Sequence, residues 1–272
     1  MGAPKLSPGI DLKDYEKLCR ILHRTTGIRL GDKKQILVES RLSKRLETLR
    51  LKNFAEYIVY LEKNHSIEFE FLVEAMTTHK TEWFRENIHF DFLKNQIGEP
   101  RPSPLHIWSA ACSTGEELWT IVMILKYLGL TPKDYRLLGT DISNDVVEKA
   151  KEALYLTRGF QSPPFNPMTQ DFFNLRKDLT PPKLEVKAGF RESVKFKQMN
   201  LIHVDLPKTL KFDFIFLRNV LIYFDPESTQ KAIDSLVNHL RPGGYLILGL
   251  SESLRNLPPN LVNLGRSIYQ LI

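Results

Sequence analysis

Small, acidic and polar side chains directly follow three apolar segments that have the composition of buried strands. The first set is the loop formed by residues 111–117, the second is Asp141, and the third is the pair Arg218 and Asn219. In an open parallel sheet, ligands bind beyond the carboxyl ends of the strands, so these residues would meet at one edge. We therefore expect them to form a single ligand-binding site.

The composition of the first loop allows a ligand to approach closely but does not suit a polyphosphate. Its small residues would let a ligand approach the backbone, and the helix that follows offers free N–H groups. The loop lacks the G-x-G-x-x-G fingerprint, and the carboxylates of Glu116 and Glu117 would repel a polyphosphate. A purely structural alternative is a capping box, in which Ser113 or Thr114 caps the helix and Glu117 is its partner.

Asp141 stands at the end of the second strand, where dinucleotide-binding folds carry a ribose-binding carboxylate. Its structural alternative is a helix cap. Arg218 and Asn219 directly follow an apolar strand, so their polar groups must find partners there. Together the three sets favour a nucleoside-type ligand without a polyphosphate. S-adenosylmethionine fits this description, because an acidic loop tolerates its ammonium and sulfonium charges.

The segments that would position these residues alternate between strand and helix after residue 105. This alternation predicts a mostly parallel sheet with helices on both faces. The last two predicted strands, residues 245–250 and 267–272, have no helical pattern between them and predict an antiparallel pair at the edge. Residues 155–192 hold five prolines and break the alternation. We expect an inserted subdomain there, with a short helix near residues 169–175 and a few small strands.

The first hundred residues have helical periodicity. Tyr15, Leu18 and Leu22, for example, share one face of a helix at i, i+3 and i+7. A stretch with three prolines, residues 99–104, cannot continue a helix or a central strand. We therefore predict a helical N-terminal domain over residues 1–98, a linker over 99–104, and an α/β domain over 105–272.

Composition limits the class of protein. The chain has 272 residues, of which 42% are apolar and 26% charged, as in ordinary globular proteins. Its formal net charge of +6 suits an acidic partner but is too weak to predict nucleic-acid binding. Two cysteines exclude a disulfide framework, and the histidines lack paired ligand spacing, so we expect no metal. Without an apolar run of spanning length or a signal peptide, we expect a cytoplasmic protein that does not insert into a membrane.

A basic segment within the helical region is the candidate substrate-binding surface. Arg41, Lys44 and Arg45 lie at i, i+3 and i+4, so they share one helix face. Residues 32–52 contain seven cations and three acids, a net charge of +4. The alternative interpretation is an ordinary solvated face. The functional interpretation is docking onto an acidic helical partner, which should weaken as the salt concentration rises.

Several motifs resemble those of the bacterial chemotaxis receptor methyltransferases. The resemblance extends in order from about Tyr15 to Tyr269 and so covers nearly the whole chain. The motifs that carry it are residues 77–86 (TTHKTEWFRE), 108–117 (WSAACSTGEE), 217–225 (LRNVLIYFD), 240–244 (LRPGG) and 249–253 (GLSES).

The resemblance implies a helical N-terminal domain joined to a class I methyltransferase domain, which is Rossmann-like, with a small inserted β-subdomain. It implies methyl transfer from S-adenosylmethionine to glutamate side chains in the cytoplasmic helical domain of chemotaxis receptors, with S-adenosylhomocysteine as product. By motif position, Arg85 and Tyr223 would line the reacting end. The implied cofactor contacts are His79, Thr81, Arg85, Glu117, Asp141, Asn200, Leu201, Asn219 and Val220. We expect a monomer.

One departure from the family pattern concerns the cofactor site, where His79 replaces the usual Asn. Two alternatives to the receptor methyltransferase follow. One is a catalytically degenerate protein that binds the cofactor or a receptor, and the other is a methyltransferase with another acceptor such as RNA. In the favoured interpretation the acceptor carboxylate, with a pKa of roughly 4.3, is already ionised near neutral pH, so we expect no general base.

Overall fold

The structure, a computed structural model, describes residues 9–31, 33–97, 104–157, 169 and 171–272. The chain divides into two compact units. One comprises the chain up to Thr78 together with Tyr223–Thr229, and the other comprises His79–Ile222 with Gln230–Ile272. The division therefore falls ahead of the predicted linker, of which residues 99–103 lie outside the described residues.

The first unit contains α1 (Leu12–Thr26), α2 (Gln35–Leu49), α3 (Phe54–Lys63) and α4 (His65–Met76). Local sequence sets the ends of α1. Asp11 caps it by accepting a hydrogen bond from the N–H of Asp14, and Gly27 ends it with a left-handed φ of 74°. The apolar face of each helix is buried, as the helical periodicity predicts; examples are Leu18, Leu22, Leu42, Leu61 and Leu72.

A short segment from late in the sequence belongs to this helical unit. Ile28 forms an antiparallel bridge with Phe224, and the N–H of Arg29 donates to the carbonyl of Tyr223 at 2.8 Å. The imidazole of His23 also contacts the carboxylate of Asp225. These contacts place Tyr223–Thr229 with the helical unit rather than with the residues that flank the segment in sequence.

The second unit is built on two sheets. Its strands are β1 (Leu105–Ser109), β2 (Tyr135–Asp141), β3 (Leu154–Leu156), β4 (Phe173–Arg176), β5 (Lys183–Val186), β6 (Val194–Gln198), β7 (Phe212–Leu217), β8 (Leu240–Leu248), β9 (Leu261–Gly265) and β10 (Ile268–Leu271). The remaining helices are α5 (Ile88–Gln96), α6 (Glu116–Tyr127), α7 (Asn144–Glu152), α8 (Ala188–Arg191) and α9 (Pro226–Val237), with a 3-10 turn at Leu221–Tyr223.

The large sheet has seven strands in the order β6-β2-β1-β7-β8-β10-β9. The pairs β6-β2, β2-β1, β1-β7 and β7-β8 are parallel, and β8-β10 and β10-β9 are antiparallel. The mostly parallel sheet with an antiparallel C-terminal edge is therefore confirmed. The hairpin partner β9 was not predicted from the sequence, because its apolar residues Leu261, Val262 and Leu264 do not alternate with polar ones. Four of its five residues are exposed.

The core of the second unit lies between the large sheet and its helices. Residues 118–125 of α6 are all buried, so this part of the helix has no exposed face. Phe90 of α5 stacks on Phe216 of β7, with ring centroids 6.2 Å apart. A fully buried Phe contributes roughly 1.5–3 kcal/mol of transfer free energy. This packing explains why α5 belongs to the sheet unit although the sequence predicts it within the helical domain.

The inserted subdomain is a three-stranded antiparallel sheet of order β3-β5-β4. The sequence predicts a short helix near residues 169–175. This prediction is wrong from Phe173 onward, where β4 begins. Phe173 pairs with Val186 of β5, and its ring meets that of Trp83 edge-on at 5.6 Å, so burial and pairing override the local pattern. Residues 158–168 and 170 lie outside the described residues.

No helix in the described part of the chain has the length and apolar character needed to cross a membrane.

Candidate functional site

Asp141 is held at the carboxyl end of β2 with only 6% of its surface exposed. One carboxylate oxygen accepts the N–H of Ser113 at 2.9 Å, and the other accepts the N–H of Ser143 at 3.1 Å. Burial raises the pKa of Asp141, while the Ser143 N–H and the nearby His79 oppose the rise. The hydrogen bonds thus fix the carboxylate in place at the carboxyl end of β2.

Two further predicted cofactor contacts lie beside Asp141. The hydroxyl of Ser113 donates to the carbonyl of His79 at 3.4 Å. The N–H of Met199 donates to the carbonyl of Asp141 at 2.8 Å, which places the next residue, Asn200, close to Asp141. The structure therefore brings the backbone at residues 79, 141 and 200 together at one sheet edge, although they are far apart in sequence. Leu201 is buried beside Asn200.

The second centre of the site is Arg218, which is only 7% exposed at the carboxyl end of β7. Its guanidinium donates to Glu117 at 2.7 Å and to Glu86 at 3.0 Å, and it also donates to the carbonyl of Arg85. The remaining oxygen of Glu117 accepts the hydroxyl of Ser109 at 2.7 Å. Arg218 thus joins the loops that follow β1 and β7 to residues 85 and 86 through charge-assisted hydrogen bonds.

The capping-box alternative for the first loop is wrong. The N-cap of α6 is Gly115, with φ of 95° and no side-chain cap. The hydroxyl of Thr114 instead donates to Glu116 at 2.6 Å, and Glu117 turns toward Arg218. Glycine is needed at position 115 because its φ is left-handed and an added Cβ would lie 3.0 Å from the hydroxyl of Tyr155.

The charge of this site suits a cationic ligand. Burial alone would raise the pKa of Glu86, but Arg218 and the amide of Asn219 outweigh it and lower that pKa. Two carboxylates, Glu86 and Glu117, therefore share the single positive charge of Arg218, which leaves a net negative charge. S-adenosylmethionine carries a sulfonium and an ammonium against one carboxylate, so its net positive charge fits this set of residues.

Left-handed backbone is concentrated around the site. Phe84, Glu86, Ser113 and Asn219 have φ of 55°, 52°, 48° and 60°. Non-glycine residues adopt this region at a cost of about 1 kcal/mol or more each, so the surrounding contacts must hold them there. Such strain is typical of ligand-binding loops.

The two residues predicted to line the reacting end, Arg85 and Tyr223, belong to different units of the chain. Arg85 is half-buried, and its guanidinium donates to the carbonyl of Lys80 at 2.9 Å. Thr81 is also half-buried. Tyr223 lies in the segment that belongs to the helical unit. The catalytic roles of Arg85 and Tyr223 and the cofactor contact of Thr81 stay predictions.

Two of the three cations predicted to bind the substrate have partners inside the helical unit. Arg41 donates to the carbonyls of Ala75 and Thr77 at 2.9 and 3.0 Å. Arg45 forms an ion pair at 2.5 Å with Glu68, whose side chain is 1% exposed. Lys44 is exposed. Arg41 and Arg45 therefore help to hold α2 and α4 together, and Lys44 is the cation most accessible to a partner.

Sequence reasoning missed Glu252 as a site residue. Its carboxylate accepts the N–H groups of Asn219 and Val220 at 2.7 Å, next to the Arg218 centre. The rule that polar residues follow strands could have found it, because it comes shortly after β8. Glu86 carries no such signal, since its position depends on the left-handed turn ahead of α5.

Neither a nucleophilic role for Cys112 nor a metal centre has support among the described residues. Cys112 is 1% exposed, and burial raises the pKa of its thiol well above the usual range, so it is a poor nucleophile. Across the described parts of the chain, no group of three or more His, Cys, Asp or Glu side chains could hold a metal ion.

Comparisons with known proteins match both units of the chain. Residues 13–77 match the family described as the CheR methyltransferase all-alpha domain, and residues 79–269 match the CheR methyltransferase SAM-binding domain. The boundary between the two matches coincides with the division at Thr78.

Curated relatives match over nearly their whole length. A chemotaxis protein methyltransferase from Borreliella burgdorferi is 36% identical, covering 92% of this chain and 91% of the relative. Chemotaxis protein methyltransferase 2 from Pseudomonas aeruginosa is 35% identical, covering 94% and 92%. The chemotaxis protein methyltransferase of Escherichia coli is 33% identical, covering 94% and 90%.

Proposed function

Because the chain belongs to the CheR methyltransferase family, we propose that it methylates glutamate side chains of chemotaxis receptors. The family match confirms the predicted class I methyltransferase fold and S-adenosylmethionine as the cofactor. The product of the cofactor would be S-adenosylhomocysteine, and the acceptor would lie in the cytoplasmic helical domain of the receptor.

The observation that carries the proposal is the negatively charged, buried centre around Arg218. It lies at the carboxyl ends of β1 and β7, where a parallel sheet binds its ligand. Glu86 and Glu117 are held there by 3.0 and 2.7 Å contacts to one guanidinium. A pair of fixed carboxylates with one cation favours a sulfonium ligand over a phosphorylated one.

When bound, the cofactor would supply a methyl group: an acceptor carboxylate oxygen would bond to the methyl carbon in line with the breaking C–S bond, and S-adenosylhomocysteine would leave. The acceptor has a pKa of roughly 4.3, so the chain does not need to remove a proton from it. The contribution of the protein is therefore positioning, which can supply up to about 7–11 kcal/mol. Asp141 and residues 219–220 would bind the nucleoside, and Arg218 would keep Glu117 and Glu86 in place.

Arg85 and Tyr223 would act at the reacting end. The guanidinium of Arg85 suits a carboxylate, because its fork can donate two parallel hydrogen bonds. It would orient either the acceptor or the cofactor carboxylate. Tyr223 would shape the pocket near the methyl group without transferring a proton.

Helix α2 would supply the receptor-docking surface, with Lys44 as its accessible cation. Arg41 and Arg45 keep positive charge on the same face while bonded to α4 and the residues after it. The partner would be an acidic helical bundle that carries the target glutamates.

The experiment that tests the proposal is methyl transfer from radiolabelled S-adenosylmethionine to a cytoplasmic receptor fragment. A glutamyl methyl ester releases volatile methanol in mild alkali, whereas a methylated amine does not. The proposal predicts alkali-labile label on the receptor fragment. A matched fragment with Gln at the methylated positions should remain unlabelled.

The two alternatives give different results in the same assay. A degenerate binding protein would bind the cofactor or the receptor but transfer no label. A methyltransferase with another acceptor would label RNA or another substrate, or would leave label that resists alkali. Either result would refute receptor glutamate methylation.

A further inference from the structure

Glu252 lies just after β8 and is 4% exposed. Its carboxylate accepts four backbone N–H groups, each at 2.7 Å: those of Gly249 and Asn219 on one oxygen, and those of Val220 and Leu221 on the other. Three of the donors are consecutive residues of the loop that follows β7. One side chain therefore binds nearly the whole turn that carries two of the predicted cofactor contacts.

The loop needs such an acceptor. The N–H groups at the start of the Leu221–Tyr223 turn have no acceptor earlier in the turn, as at the beginning of any helix. Asn219 also adopts a left-handed φ of 60°, so the backbone reverses direction at the residue whose N–H bonds to Glu252. An ionised carboxylate offers lone pairs on both oxygens, whereas a carboxamide offers them on one and presents hydrogens on the other side.

The neighbourhood of Glu252 is built to hold it close to this loop. An added Cβ at Gly249 would lie 2.6 Å from the amide nitrogen of Asn219 and 2.7 Å from the carboxylate of Glu252. Only glycine at position 249 therefore leaves room for the Asn219 amide and the Glu252 carboxylate where they lie. The carbonyl of Glu252 accepts the hydroxyl of Ser267 at 2.7 Å, which ties it to the C-terminal hairpin.

The same loop is connected to the charged centre of the site. The side-chain amide of Asn219 donates to Glu86 at 3.3 Å, and Glu86 bonds to Arg218. A shift of the loop would therefore reach the residues proposed to face the cofactor. The carboxylate of Glu252 is occupied by backbone N–H groups, so it would act on the loop and would not need to touch the ligand.

We propose that Glu252 is a positioning residue, whose carboxylate fixes residues 219–221 in the conformation that binds the cofactor. The inference rests on the proposed function for the place of the cofactor. It predicts that replacing the carboxylate weakens cofactor binding in a protein that is still folded.

The test compares Glu252→Gln with the matched variant Asp213→Asn. Asp213 is also a largely buried carboxylate that accepts a backbone N–H, that of His106 at 2.8 Å, but it lies at the opposite end of β7. The dissociation constant for S-adenosylhomocysteine is measured by isothermal titration at a temperature where circular dichroism shows both variants folded. This readout does not depend on any acceptor, and a purely stabilising role would leave it unchanged.

The expected result is binding weakened roughly tenfold or more in Glu252→Gln, since hydrogen bonds to a charged group are replaced by a poorer set. Asp213→Asn should bind within about twofold of the unmodified protein, because it is distant from the loop. If Glu252→Gln does not fold, Glu252→Asp keeps the charge but shortens the side chain, which withdraws the carboxylate from the loop, and it should show the same weakening. Normal binding by the folded variant overturns the proposal.

Failure of the proposed function would look different. If the unmodified protein binds S-adenosylhomocysteine but methylates no receptor, receptor methylation is refuted, while the affinity ratios still decide the role of Glu252. If the unmodified protein does not bind S-adenosylhomocysteine, both proposals are overturned.

Discussion

Arg218 and Glu117 form a 2.7 Å ion pair in which both side chains are largely buried. The pair connects the residue that follows β7 with the first turn of α6. The same guanidinium also reaches Glu86 at 3.0 Å. A single cation thereby holds three separate segments of the chain at the carboxyl edge of the sheet.

Replacing Arg218 with Met should be strongly destabilising. It would leave two neighbouring carboxylates buried without their cation, and breaking a buried ion pair costs about 3–5 kcal/mol. Urea unfolding measures the loss. Arg241→Met is the matched control, because its ion pair with Asp213 at 2.9 Å is more exposed and should cost about 1 kcal/mol. Equal losses for the two variants would contradict a special role for Arg218.

Charge reversal on α2 should separate docking from stability. Lys44→Glu should raise the KM for the receptor several-fold and leave cofactor affinity unchanged, because Lys44 is exposed. Arg45→Glu should destabilise the protein by roughly 3 kcal/mol, because it leaves Glu68 buried beside a like charge. Steady-state kinetics and urea unfolding measure the two effects. An unchanged KM for Lys44→Glu would mean that this face of α2 is an ordinary solvated face and does not bind the receptor.

Asp225 should make stability depend on pH in the acidic range. Partial burial raises its pKa, but hydrogen bonds from Ser228, His23 and Glu227 outweigh this and lower the pKa to about 2. Because the folded pKa lies below the ordinary value of roughly 3.9, the stabilisation is complete above that value. It is lost as the pH falls from about 4 toward 2. The free energies of unfolding of the unmodified protein and of Asp225→Asn should therefore converge below pH ~2. A difference that stays constant with pH would refute the lowered pKa of Asp225.

The two residues of the reacting end should differ in their effect on turnover. Arg85→Ala should remove most activity, because a carboxylate would lose its bidentate donor. Tyr223→Phe should keep measurable activity, since no proton transfer is assigned to its hydroxyl. Single-turnover rates at saturating cofactor measure both. Abolished turnover in Tyr223→Phe with cofactor binding intact would require a chemical role for the hydroxyl.

Much of the sheet unit could be predicted because its strands are short apolar runs, several of which are followed directly by polar residues suited to binding a ligand. The spacing of β1, β2 and β7 was sufficient to place Asp141 and Asn219 at one edge. The polar residue Arg218 after β7 was expected to have partners, and the structure gives them as Glu86 and Glu117.

The remaining features depend on contacts that no local pattern reveals. The assignment of α5 to the sheet unit follows from the stacking of Phe90 on Phe216, which are far apart in sequence. The pairing of Arg45 with Glu68 likewise joins two helices, so a helical wheel of α2 shows Arg45 only as a surface cation. The role of Glu252 depends on a left-handed turn at Asn219, which the sequence does not specify.

Peptide mass spectrometry of a receptor fragment after reaction with S-adenosylmethionine tests receptor glutamate methylation most directly. The account predicts peptides that gain the mass of one methylene on a glutamate side chain and lose it in mild alkali. The gain should be abolished or strongly reduced when Arg85→Ala replaces the unmodified protein. Modification of another residue type, or an unmodified receptor in the presence of cofactor-bound protein, would contradict it.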